Sequence, residues 1–216
     1  MHAELPVKQS SDSRVPLRNE PVQARSTARL AALLDAAAAI VDEVGYEHLT
    51  TAMVSERASA SIGTVYRYFP DRIALLQALG ARNLERVLNG ADAAVLDPQH
   101  ADWAAALEAA FAVLVEAFRS EPGFRGLRVG DVIDLRPSPN VRRYNSVVSD
   151  RLLDGLISRF GVIDSPELRF AFEASIEITD ALADRAFAHN PQGDEAFLVT
   201  SADVVYSLLV PHLGTI

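Results

Sequence analysis

The 216 residues contain no cysteine. Structural disulfides, thiolate zinc sites and cysteine nucleophiles are therefore excluded, and the absence fits a reducing compartment. The five histidines, His2, His48, His100, His189 and His212, are too dispersed to point to a metal site. There is no HExxH run, no phosphate-binding loop and no glycine-rich strand-to-helix turn. The many acidic residues scatter over helical surfaces. Catalysis is not expected, and neither is a cofactor or a metal. The first 24 residues lack the apolar core of a signal peptide, and Pro6, Pro16 and Pro21 are expected to break any helix there. No stretch approaches the length needed to span a bilayer. Strand alternation, internal repeats and heptads are also missing. These absences imply an all-α cytoplasmic protein with no membrane partner.

What is present is apolar and acidic. Apolar residues make up 49% of the chain, enough for one or two small domains with a core, and net charge is −9. The charge is uneven. Up to Gly90 there are ten basic residues (Lys8 and nine arginines) and ten acidic ones. The remainder has ten basic and 19 acidic, so it carries the whole deficit. An acidic body is repelled by phosphates, which leaves the neutral N-terminal part as the segment able to face nucleic acid.

Three regions follow from composition and periodicity. Residues 1–24 read as a flexible arm, in which Lys8, Arg14 and Arg18 are offset by Glu4, Asp12 and Glu20. Residues 25–72 read as a three-helix head. Its first helix is expected over Ser26–Val44, with Leu30, Leu33, Leu34, Ala37, Ile40, Val41 and Val44 in one stripe and Gly45 as its stop. Residues 73–216 read as a helical body. A helix after Pro70 is expected to run to about Gly90, and further helices over Asp102–Arg119 and Phe124–Val132. Another runs from Ser138-Pro139 to Phe160, with Gly161 as its stop. Ser165-Pro166 opens a helix to about His189, and Asn190-Pro191 opens a last one to about Pro211.

Within the head, two short helices are joined by a tight turn. Thr50 can cap the first and Ser61 the second. That pattern is a helix-turn-helix, whose second helix is shaped to enter a DNA major groove. Thr50 or Thr51 can donate to phosphate. Ser61, Ile62, Gly63 and Thr64 lead the second helix. Gly63 permits close backbone approach, and Thr64 can meet a base edge or a thymine methyl. Arg67 is the long donor of that helix, and Arg25 and Arg29 can flank a duplex. Val54, Ala58, Val65 and Phe69 should be core. Tyr66 and Tyr68, taken singly, read as packing residues.

The run Gly45-Tyr46, Leu49-Thr50-Thr51, Val54-Ser55, Ala58-Ser59-Ala60-Ser61, Gly63-Thr64-Val65-Tyr66-Arg67-Tyr68-Phe69, Asp71-Arg72 and Leu75-Leu76 resembles the TetR family of bacterial regulators. In detail the resemblance covers residues 26–80. It implies nine helices or more, a homodimer, an effector pocket in each body, and a palindromic double-stranded operator released when a small molecule enters that pocket. Phosphate contacts by Tyr66 and Tyr68 are implied in the same way. Two residues depart from the family pattern. Ser59 stands where the turn usually has glycine, and Arg72 where lysine is usual.

Trp103, Leu107, Phe111, Phe118, Phe172 and Ile176 are candidate pocket walls, with Phe124 beside them. Asp134, Arg142, Arg143 and Asp150 are candidate polar groups. Arg142 or Arg143 falls seven or eight residues before Asp150, so an arginine and a carboxylate can share a helix face. Such a cavity would suit a phenolic or other polar aromatic effector. The segment resembles, more distantly, the dihydroxybenzene-sensing branch of the family, with resorcinol as the type ligand. A surface salt bridge is the equal alternative. Leu168, Thr179, Leu182, Ala183, Ala186, Val205, Leu208 and Leu209 are candidates for a dimer face on the last two long helices. The rival function is a helical interaction protein without DNA binding, followed by an enzyme.

Overall fold

The structure is a computed structural model and describes residues 20–125 and 144–215. Its order is α1 (Glu20–Val44), a 3-10 turn (Tyr46–His48), α2 (Thr51–Arg57), α3 (Ile62–Tyr68), α4 (Arg72–Leu96), α5 (Trp103–Ser120), α6 (Tyr144–Phe160), α7 (Pro166–Phe187) and α8 (Glu195–Leu213). The described residues are all-α, with no strand.

Most helix starts follow local chemistry. The side chains of Thr50, Ser61, Asp71, Asp102 and Ser165 each accept a backbone N–H three residues on, as N-caps do. Pro166 occupies the first turn of α7, where no N–H is needed. At the other end of α1, Gly45 takes φ +82°, which a side chain would strain.

Four expectations need correction. Helix α1 begins at Glu20 rather than Ser26. Pro21 lies in its first turn, where the missing N–H breaks nothing. Helix α4 passes through Gly90 to Leu96. Gly90 serves packing, since a Cβ there would stand 2.8 Å from Val113 Cγ1 on α5. Helix α8 starts at Glu195, because Asn190 folds residues 190–193 into a turn. Its Oδ1 accepts from Gln192 N at 3.0 Å and its Nδ2 donates to Gly193 O at 2.8 Å. Lastly, α8 is long and apolar enough to cross a membrane by length and composition. Its 19 residues carry Glu195 and Asp203 as the only acidic groups and no lysine or arginine.

One apolar cluster fills the head: Leu33, Ala37, Ile40 and Val41 of α1, Leu49, Val54, Val65, Phe69, and Leu75, Leu76 and Leu79 of α4. The first half of α4 thus belongs to the head core. Its second half belongs to the body, where Ala91 and Val95 pack with Trp103, Leu153, Leu156, Leu168, Phe172 and Leu209. A further cluster joins Val87 to Phe118, Phe124, Phe187 and Leu198, with Phe118 stacked on Phe187 at 4.7 Å. Two further contacts hold α1 against its neighbours. A Cβ on Gly123 would lie 2.9 Å from the carbonyl oxygen of Ala38, so the turn after α5 sits directly on α1. Arg82 of α4 donates to Asp35 Oδ1 of α1 at 2.6 Å.

Candidate functional site

The head presents one face of α3. Val65 and Phe69 point into the core, which turns Ile62, Gly63, Tyr66 and Arg67 outward. Tyr66 is 52% exposed and Ile62 43%, an unusual outlay of apolar surface on so short a helix. Thr51 Oγ1 donates to the Tyr66 hydroxyl at 3.3 Å, so the start of α2 and the middle of α3 form one surface. Ser61 accepts from Thr64 N at 3.1 Å, and its hydroxyl lies 2.9 Å from Thr64 Oγ1. Thr50 is occupied as the cap of α2, accepting from Met53 N at 3.2 Å. The guanidinium of Arg67 lies 5.3 Å from the Tyr68 ring centre and is exposed. Arg25 and Arg29 are exposed on α1.

Two proposed contact residues are partly engaged within the head. The Tyr68 hydroxyl lies 3.1 Å from Ser26 Oγ, tying α3 to α1. Arg72 Nη2 donates to the Tyr46 carbonyl at 2.6 Å, and its Nε is buried without a partner. Arg57, which sequence reading passed over, grips Glu43 with both amino groups at 2.7 and 2.6 Å. This fork fixes α2 on α1 and holds the Glu43 carboxyl below its ordinary range, mainly through the Arg57 hydrogen bond. Ser59 bridges α2 and α3 at φ +48° and is the one non-glycine with positive φ among the described residues.

The body holds a cavity of about 410 Å³ among α4, α5, α6, α7 and α8. Trp103, Leu107, Phe111, Phe172 and Ile176 line it, as expected. Phe118 does not, because it is stacked in the Phe187 cluster. Asp150 does not either: its carboxylate faces Arg169, Nη1 to Oδ1 at 3.4 Å. Asp134, Arg142 and Arg143 lie outside the described residues, as do residues 1–19 of the arm and most of the Phe124–Val132 helix. The polar lining consists of Glu108, Asn145, Ser175, Thr179, Asp180, Ser201, Asp203 and Tyr206. Sequence reading missed most of these. The signal was available on α7, where Phe172, Ser175, Ile176, Thr179 and Asp180 follow one helical stripe. No lysine, arginine or histidine lines the cavity among the described residues. The lining therefore favours ligand groups that donate hydrogen bonds, set against aromatic walls such as the Trp103–Tyr206 stack at 5.4 Å.

Several residues proposed for a dimer face lie elsewhere. Leu168, Ala183, Ala186 and Leu209 are buried inside the chain, since α7 and α8 pack extensively on one another. Thr179, Val205 and Leu209 line the cavity. Leu182 and Leu208 are half-buried. Val199 of α8 and Phe170 of α7 are instead exposed, at 53% and 75%.

This geometry agrees with comparison to known proteins. A family profile described as "Tetracyclin repressor-like, C-terminal domain" matches residues 101–213, more than half of the chain, and one described as "Bacterial regulatory proteins, tetR family" matches residues 33–79. The chain belongs to the TetR family. A crystal structure of a TetR-family transcriptional regulator from Streptomyces coelicolor is 31% identical, with a TM-score of 0.74, over 88% of this chain and 99% of that one. The HTH-type transcriptional repressor KstR of Mycolicibacterium smegmatis is 42% identical over 64 residues, 30% of this chain and 31% of that protein. The HTH-type transcriptional regulator BetI of Cronobacter sakazakii is 30% identical over 132 residues, 59% of this chain and 63% of that protein. The match thus spans less than a third of KstR. These relatives point to a regulator rather than an enzyme.

Proposed function

We propose that this TetR-family chain is a ligand-responsive transcriptional repressor acting in the cytoplasm. It binds a palindromic double-stranded operator as a homodimer and is released by a small molecule in the body cavity. The observation that carries the DNA reading is the outward face of α3, where Ile62, Gly63, Tyr66 and Arg67 stand clear of the core beside Thr51. Thr64, Tyr66 and Arg67 are the groove and backbone contacts. Thr50, Thr51, Ser61, Tyr68 and Arg72 orient the helix and supply phosphate contacts at its edges.

The test is a mobility-shift assay on the intergenic DNA upstream of the gene, at low and moderate salt. Wild type shifts the fragment, and Tyr66→Ala with Arg67→Ala abolishes the shift while the fold persists. A folded wild-type dimer that shifts nothing at either salt would leave the interaction-protein reading in its place.

For the effector, the acceptor-rich lining supports a compact molecule with an apolar ring and a donating hydroxyl, a phenol or dihydroxybenzene. A carboxylate such as Glu108 or Asp180 can accept a hydrogen bond from the phenolic hydroxyl. Calorimetric titration with resorcinol is expected to give saturable heat that Ile176→Trp removes by filling the cavity. An absence of heat, with operator binding unchanged by the phenol, ends the phenolic reading.

A further inference from the structure

The first turn of α3 carries little that can hydrogen-bond a base. Ser61 and Thr64 engage one another, hydroxyl to hydroxyl at 2.9 Å, and Ser61 Oγ also accepts from Thr64 N. Between them stand Ile62 and Gly63, both exposed. A lone exposed isoleucine is ordinary on a protein surface. This one lies outside the head's apolar cluster and one helical turn before Tyr66, on the same side of α3. It therefore continues the surface that Thr51 and Tyr66 form across the two helices.

Gly63 is a second sign that something outside the chain comes close there. Glycine weakens a helix relative to alanine, and nothing in the head asks for it. Beyond its own helix and chain neighbours, a Cβ at position 63 would meet only Ser61 Oγ, at 3.9 Å, and the backbone there is not left-handed. The missing side chain leaves room beside Ile62 for a partner that this chain does not contain.

The major-groove edges of the base pairs present donors and acceptors, and one aliphatic group, the C5-methyl of thymine. A side chain with neither donor nor acceptor gains most from that group. Resting on the operator reading above, we propose that Ile62 is a specificity-determining residue that packs on a thymine methyl in each half-site, with Gly63 letting the backbone approach closely enough for contact. The operator then carries a thymine under Ile62 in both half-sites.

No operator sequence is needed for the test. The intergenic fragment is amplified once with dTTP and once with dUTP, which removes every thymine methyl and keeps every base pair. Burying one methyl changes an equilibrium about fourfold, and a dimer makes the contact twice, so wild type should bind the uracil fragment about fifteenfold more weakly in a mobility-shift titration. Ile62→Ser should bring the ratio of the two affinities to near one. Thr64→Ser, which removes the other aliphatic group of that turn, should keep most of the ratio. Every variant meets the same two DNAs, so any effect of uracil on DNA shape cancels in the comparison. Should Ile62→Ser bind too weakly to titrate, Ile62→Ala decides in its place, its ratio falling at least about threefold. Equal binding of wild type to both fragments, an unchanged ratio in the Ile62 variant, or collapse of the ratio in Thr64→Ser alone would each overturn the thymine contact and leave the operator reading standing. A folded wild type that shifts neither fragment removes the operator reading, and the thymine contact with it.

Discussion

Single residues set the geometry of the reading head. Ser59 holds a left-handed backbone at φ +48°. A side chain in that region costs roughly 1–2 kcal/mol, while glycine loses about 0.5–1 kcal/mol of chain entropy on folding. The strain outweighs the entropy, so Ser59→Gly should stabilise the protein by about 0.5 kcal/mol, measurable as a raised urea midpoint at constant slope. Glu43 illustrates a pH effect. Its carboxyl is held low by Arg57, so the fork contributes above the ordinary carboxylate range and is lost as pH falls through the depressed value. Glu43→Gln should flatten the acid limb of stability against pH and leave the alkaline limb unchanged. Arg67 is the exposed donor on α3. With the whole body acidic, the head has little diffuse attraction to draw on, so Arg67→Ala should cost at least tenfold in operator affinity. Where the contact is to phosphate, the salt slope should also fall by about 1 per head.

At the scale of elements, α4 carries the coupling. Its first half lies in the head core and its second half in the body, with no break between them. Gly90 is where α5 comes closest, and a valine there would drive into Val113. Gly90→Val should destabilise by roughly 1–3 kcal/mol, and Val113→Ala should restore much of it, as a double-mutant cycle in thermal melts would show. This same helix explains what the sequence could and could not reveal. Starts were legible because Thr50, Ser61, Asp102 and Ser165 cap their helices by local hydrogen bonds. Gly90 misled because the symbol is the same for a helix stop and for a helix crossing. Asn190-Pro191 misled because the asparagine caps a turn before Asp194 caps the helix. On the reading face, the burial of Val65 and Phe69 could be foreseen from spacing alone. The ties of Tyr68 to Ser26 and of Arg57 to Glu43 could not, since they join positions 42 and 14 residues apart.

The largest gap concerns the whole molecule. Helix α8 is apolar on nearly every side, so its sequence could not assign one side to the core and another to a partner. Ser201 and Leu209 turn out to face inward, while Val199 stands 53% exposed. Buried positions such as Leu168 and Ala186 cannot form a dimer contact without opening the chain, so the proposed pairing through α7 and α8 would have to use their outer sides. In the proposed dimer two heads are needed, because each offers few donors and the body repels DNA. Half-sites then lie about one helical turn apart, and affinity depends on both heads engaging together. Val199→Glu puts a charge on the exposed side of α8 without touching the cavity lining or the head. Sedimentation equilibrium should therefore find this variant monomeric at concentrations where wild type is dimeric. Operator affinity should fall by two orders of magnitude or more, while helicity is retained. Were Val199→Glu to remain dimeric with full operator affinity, the exposed side of α8 would be excluded as the pairing surface, and the spacing of the two heads would have to be set elsewhere.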